Sequence, residues 1–415
     1  MSGTKISIED SGLKLLLATI FLIVLIGPFA TLAHFLIPAP PIFGKSFWVA
    51  APFIILVGIA IRFGEWKTKQ AVFSTSMLYL ICIGIIAART IVFNEEVHSE
   101  GMRYIVTIPI YFIVAKYVAK NKKLNDFISI AIIAQGVAVA IVMYFNAQFA
   151  PQVSLIQTDL GVSGITTTGN NPRTLLIGVS IGSGHIILAM TVLIDWLGRI
   201  KLKFGTSFAI YVFLLFSSYV ITLGGSRLPI VVSVAMVALM FYQNRESRKA
   251  FVHSLLFVFF VVVLGKYLSI LLQIYPGVSY GNPIWRFGEN SGGRGEKLLL
   301  AMKLLGQSWE TFLFGVSNSQ QILARSNGGY VFSDNSYAYI ALNLGLPASI
   351  LLVKKFYDSI VELMDSAISR LFLLYFFVCL GVTNAVLWDP FLFSAILTMA
   401  LNHARKLGKK NVNGN

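Results

Sequence analysis

Residues 332–352 read FSDNSYAYIALNLGLPASILL. A polar entrance, Asp334-Asn335-Ser336-Tyr337, runs at once into a segment apolar enough to enter a lipid bilayer. A carboxylate at such a mouth is costly unless it caps a helix, pairs or meets water, so the stretch poses the questions of fold and function together. Outward from it the chain holds about twelve apolar segments of near-membrane length, at 13–36, 46–61, 71–88, 104–119, 127–145, 174–194, 206–223, 227–242, 251–274, 334–353, 368–387 and 389–404. Four are only about 16 residues long and the last two touch, so about eleven is the alternative count. The first is too long for a signal-peptide core and lacks a small-residue cleavage site, so it reads as retained.

Composition agrees. Of 415 residues, 56% are hydrophobic and 12% charged, with a mean hydropathy of +0.76; an average soluble domain carries about 25% charged residues. The reading is an all-α integral membrane protein, one polytopic domain over 1–415. The net charge of +15 comes from short basic runs between apolar segments, which marks topology rather than a nucleic-acid face. Cys82 and Cys379 lie inside apolar runs and offer neither a disulfide framework nor a metal-binding spacing, so they read as packing or lipid-facing residues.

Counting Lys and Arg in alternate connections orients the chain. With the N-terminus inside, 22 of the 33 basic residues fall on the cytoplasmic side and ten, Arg89 among them, on the other, with Lys266 inside the ninth span. Both termini are then cytoplasmic and the long loop at 275–333 is external. That loop opens YPGVSYGNPIWRFGENSGGRGEK, irregular by its Gly, Pro and Asn content. From Glu296 onward Leu298, Met302, Leu305, Trp309 and Phe312 recur at helical spacing, which predicts a short amphipathic helix lying on the membrane or packed on the bundle. A second external segment, 146–173, ends TTTGNNPR and is a smaller lid candidate.

Ionisable groups at span edges are the candidates for chemistry. Arg227 closes ITLGGSR between the seventh and eighth spans; interfacial snorkelling explains it equally well. Arg286 and Arg294 flank FGENSGG, where a glycine-rich backbone between two guanidinium forks suits phosphate oxygens, although a solvated charged loop has the same composition. Asp334 reads as a helix N-cap, or as a carboxylate that takes a proton from a sugar hydroxyl within hydrogen-bond reach. His185, inside the sixth span, reads first as a hydrogen-bonded packing residue. The other histidines are scattered and form no metal set, and no nucleotide-binding glycine loop, GxSxG or HExxH occurs. A donor substrate is therefore expected to be lipid-borne.

Together these features resemble the O-antigen polymerase and ligase superfamily of bacterial envelope glycan assembly. The resemblance rests on Gly-Gly-Ser-Arg at 224–227, WRFGENSGGRGEK in the external loop, FLFGVSNSQ at 312–320 and SDNSYAYIALNLGLPASI from Ser333. It implies a GT-C-like bundle of about twelve spans, with short helices in the large periplasmic loop between spans 9 and 10. It also implies an inner-membrane location and an active site facing the periplasm. The implied activity is en bloc transfer of a sugar chain from undecaprenyl diphosphate, without cofactor, metal or nucleotide. The implied partners are lipid-linked oligosaccharide donor and acceptor, membrane lipids and a chain-length regulator.

On the same resemblance Arg227, Arg286 and Arg294 hold the leaving diphosphate, Asp334 acts on the acceptor, and Arg173, Glu289, Asn335 and Tyr337 line the substrates. Arg173 stands eleven residues before Gly184, an Arg-x10-Gly spacing found in some glycan polymerases; chance alone supplies about one such pair in this composition, so it decides nothing. Ligases carry His where this chain has Asp334, which favours the polymerase over the ligase. Ser317 replaces the second glycine of the Phe-Gly-x-Gly element. A transporter or flippase is the third reading, for which internal repeats, broken helices and ionisable groups near the midplane are the signs.

Overall fold

The computed structural model describes residues 84, 85, 87–94, 111, 122–148, 179–197, 203–223, 227–243, 248–271, 294–317, 335–361, 366–382, 391–399 and 401. Every regular element among them is a helix. In chain order they are α1 (Lys122–Gln148), α2 (Val179–Leu197), α3 (Phe204–Leu223), α4 (Arg227–Gln243), α5 (Arg248–Leu271), α6 (Arg294–Leu305), α7 (Trp309–Phe314), α8 (Ser336–Leu344), α9 (Leu346–Val361) and α10 (Ala367–Val382). Residues 87–93 and 391–399 are also helical.

Among the described residues three helices are long and apolar enough to cross a membrane, over Asn125–Phe145, Phe204–Leu223 and Arg248–Gly265; Gly182–Trp196, Leu228–Gln243 and Ala367–Gly381 are shorter apolar helices. Membrane association follows from this. The segments expected at 127–145, 174–194, 206–223, 227–242, 251–274 and 368–387 coincide with α1 to α5 and α10, with ends moved by a few residues. Those expected at 13–36 and 46–61, and the lid candidate at 146–173 apart from its first residues, lie outside the described residues.

The centre of the bundle is α2. It packs against α1, α3, α4 and α10, and from Gly182 to Ile194 every residue is buried, as a helix apolar all round must be. It meets α1 most extensively. Gly136 makes that approach possible: a Cβ there would run into Ala189, the small-residue device by which helices approach closely without an aqueous hydrophobic drive. At the opposite extreme α5 packs on α3 and presents Leu255, Leu256, Phe259, Phe260 and Val263 outward, the side that a spanning helix shows to lipid.

Two expectations about continuity are corrected. The tenth segment is not one helix: α8 stops at Gly345 and α9 restarts at once. Gly345 has φ +78°, outside the helical region, and a Cβ there would collide with the Leu313 carbonyl. Pro347, in the first turn of α9, is at a position where its missing N–H costs nothing. The amphipathic stretch after Glu296 is likewise two helices. The first ends at Leu305, and Ser308 caps the second through a capping box with Thr311, whose hydroxyl also donates to the Leu305 carbonyl.

Candidate functional site

Four of the residues singled out by sequence, Arg173, Arg286, Glu289 and Asp334, lie outside the described residues. Arg227 is the first residue of α4 and Arg294 the first of α6. Both therefore stand at helix N-termini, where free amides and the helix dipole favour an anion rather than a cation.

The polar entrance to α8 has a structural assignment. Asn335, not Asp334, is the N-cap: its side-chain oxygen accepts from the Ala338 N–H at 3.0 Å, and its Nδ2 donates to the Gly381 carbonyl at 3.0 Å. The Tyr337 hydroxyl donates to the Phe377 carbonyl at 3.1 Å. Both side chains thus tie α8 to α10, Asn335 through Gly381, which is among the last four residues of α10 whose carbonyls have no partner within that helix. Ser336 and Tyr339 are buried. Asn335 thus holds the cap position of α8, while Asp334 lies outside the described residues.

The most constrained point is where α7 ends against the end of α8. Gly315 (φ +85°) and Gly345 terminate the two helices and face each other through backbone: a Cβ on Gly315 would lie 2.5 Å from the Leu342 carbonyl oxygen. No side chain fits at either glycine, and the left-handed φ disfavours one independently. The Val316 N–H donates to the Leu342 carbonyl at 2.7 Å.

Into this junction comes Arg89. Sequence reading placed it in an external connection as a topology charge. It is helical and 3% exposed, and its guanidinium donates through Nη1 to the Asn343 carbonyl and through Nη2 to the Val316 carbonyl, each at 2.6 Å. One planar fork thereby grips the last residues of two segments more than 220 positions away in sequence. A cation at the C-terminal end of α8 also suits the negative end of its dipole. The sequence signal was present: an arginine at the end of an apolar run is costly unless held.

The remaining polar groups of the junction are also satisfied. The Ala341 carbonyl accepts from the Gly345 N–H, Asn343 Nδ2 donates to the Tyr339 carbonyl, and the Gly345 carbonyl accepts from both the Ser349 N–H and its hydroxyl. Two helices that stop and restart in a buried place need partners of this kind for their freed backbone groups.

His185 lies elsewhere, at the α1–α2 contact. Its Nδ1 is 3.1 Å from Gln135 Oε1 and its ring meets Phe391 edge-on at 5.3 Å, so it is the hydrogen-bonded packing residue expected. Cys379 is buried and packs. Comparison of the chain with protein-family models, with curated proteins and with solved structures gives no match.

Proposed function

We propose that the chain is a multi-pass inner-membrane glycosyltransferase of the O-antigen polymerase kind. It joins undecaprenyl-diphosphate-linked repeat units by en bloc transfer on the periplasmic face. One observation supports this above the others. FLFGVS and YAYIALNLGLP, which carry separate parts of the family resemblance and lie about twenty residues apart in sequence, meet backbone to backbone through Gly315, Gly345 and Val316. Motifs brought together in this way are parts of one structural unit, and the external face of that unit is the start of α8, next to Asp334.

In this reading Arg227, Arg286 and Arg294 hold the diphosphate and stabilise its charge as the glycosidic bond breaks. Arg227 and Arg294 each open a helix, at an end whose free amides also attract phosphate. Asp334, beside the capping Asn335 in sequence, takes the proton of the acceptor hydroxyl. Positioning two lipid-borne substrates supplies the rest of the acceleration. The twelve-span topology with cytoplasmic termini, the partnership with a chain-length regulator, and the roles of Arg173 and Glu289 belong to the same proposal. Asn335 and Tyr337 enter it as residues that hold the mouth in place, given their bonds to α10.

The α8–α9 break with a buried arginine beside it favours one alternative, a transporter of lipid-linked oligosaccharide, since such folds use broken helices at their sites. The polymerase is preferred because the backbone groups freed at the break are taken up by Arg89, Val316 and Ser349 rather than presented to a substrate.

The test is genetic and topological. Arg227→Ala, Arg286→Ala and Arg294→Ala should each insert normally yet abolish the polymer ladder while single repeat units persist. Normal ladders from all three variants would refute the diphosphate role. A transporter defect would instead leave repeat units trapped on the cytoplasmic face.

A further inference from the structure

Exposed apolar side chains crowd α6 and α7. Leu298, Leu299, Met302, Trp309, Phe312 and Leu313 all face outward, while Ala301, Leu304, Leu305 and Thr311 are buried. On α6 the exposed sector holds Lys303 as its charged member among residues 298–303. A loop standing in water does not display such a surface, which exceeds what a soluble protein leaves uncovered.

The depth of these helices follows from what they touch. α6 packs along α8, and α7 against α8 and α9. The end of α7 is fixed at the level of Leu342–Gly345 by the Val316 N–H bond to Leu342, the Gly315 and Gly345 backbone contacts and the Arg89 fork. At about 1.5 Å per residue that level lies roughly 13 Å along α8 from its first residue. A span entered at Ser336 therefore carries the junction about 13 Å inward, short of the midplane of a hydrocarbon core of about 30 Å.

We infer that residues 294–317 form a re-entrant element, with α6 and α7 seated among lipid acyl chains of the external leaflet and pinned at their deep end to the α8–α9 break. The inference rests on reading α8–α9 as a span entered from the external side. Its energetics are consistent: the irregular backbone at depth is hydrogen-bonded within the protein, and the face left over is apolar. In consequence, the part of the periplasmic loop that starts at Arg294 is held at the lipid surface, where a polyprenyl-linked substrate travels.

Spin-label accessibility in liposomes tests this. Single nitroxides at Leu299, Met302 and Leu313, on a Cys82→Ser/Cys379→Ser background, should relax more with oxygen than with a water-soluble nickel chelate, most strongly at Leu313. Dominant nickel relaxation would put the helices in water. Protection from both agents would mean that protein covers them, and either result overturns the inference. Should the cysteine-free background fail to fold, the fluorescence lost in Trp309→Phe of the native chain gives the same answer: it should be quenched by brominated acyl chains and not by aqueous iodide, and the reverse refutes the seating. Neither readout depends on glycan transfer, so failure of the polymerase reading alone leaves both signals unchanged.

Discussion

Replacing Arg89 by Met keeps the length and apolar stem of the side chain and removes the fork that joins two remote segments. Two charge-assisted bonds of 2.6 Å are lost, to Asn343 and Val316, at a buried site. Bonds to a charged group contribute about 1.5–3 kcal/mol each, so the loss is about 3–6 kcal/mol. That is comparable with the whole stability of many domains, about 5–15 kcal/mol. Arg89→Lys keeps the charge but not the planar fork, and should lose about half as much. The assay is thermal unfolding of the purified protein in detergent, followed by the fraction remaining monodisperse. The order of stability should be wild type, then Lys, then Met. If Arg89→Met unfolds with the wild type, the fork contributes nothing and the junction is not the structural centre of the site.

The glycines at the same junction should be as sensitive. Gly345→Ala and Gly315→Ala each add a left-handed strain of about 1–2 kcal/mol to a collision with a backbone carbonyl, and unfolding of either variant at the wild-type temperature would show that the two helix ends are not in contact. Asn335→Ala should lower stability by about 0.5–2 kcal/mol through loss of the cap, with a further loss from the Gly381 bond, whereas Asp334→Ala should leave stability unchanged; equal losses would return the cap to Asp334. For polymerisation the order reverses: Asp334→Asn, which preserves shape and removes the base, should slow turnover by about 10²–10⁴, and near-normal turnover would remove the carboxylate from the chemistry. A thiol introduced at Asn327 should react with an impermeant reagent in intact spheroplasts and one at Lys122 should not; the opposite pattern would turn the site to the cytoplasm.

Most helices were legible because hydropathy reports a transmembrane helix strongly: α1 to α5 and α10 stand within a few residues of their expected places. The breaks were not. LNLGLPASI is mostly apolar, and nothing in its hydrophobic periodicity distinguishes a continuous span from two helices that stop and restart at Gly345; the distinction depends on the Leu313 backbone arriving from elsewhere in the chain. GQSW at 306–309 did carry a signal, a serine followed three residues later by a hydroxyl partner in Thr311. Arg89 was misread because counting basic residues assigns every arginine between spans to a surface, while burial depends on a long-range partner. Asn335 and Tyr337 were found by clustering, and the structure adds their bonds to α10, which depend on a segment some forty residues on and leave no mark in the local sequence.

The central claim is that this chain, by itself, lengthens a lipid-linked glycan. Purified protein reconstituted in liposomes with undecaprenyl-diphosphate-linked repeat units, without nucleotide sugar and with metal chelated, should yield a ladder spaced by one repeat. Arg286→Ala protein of equal thermal stability should yield single units only. Unchanged repeat units with the wild-type protein, together with their movement across the bilayer, would contradict the polymerase and establish a transporter.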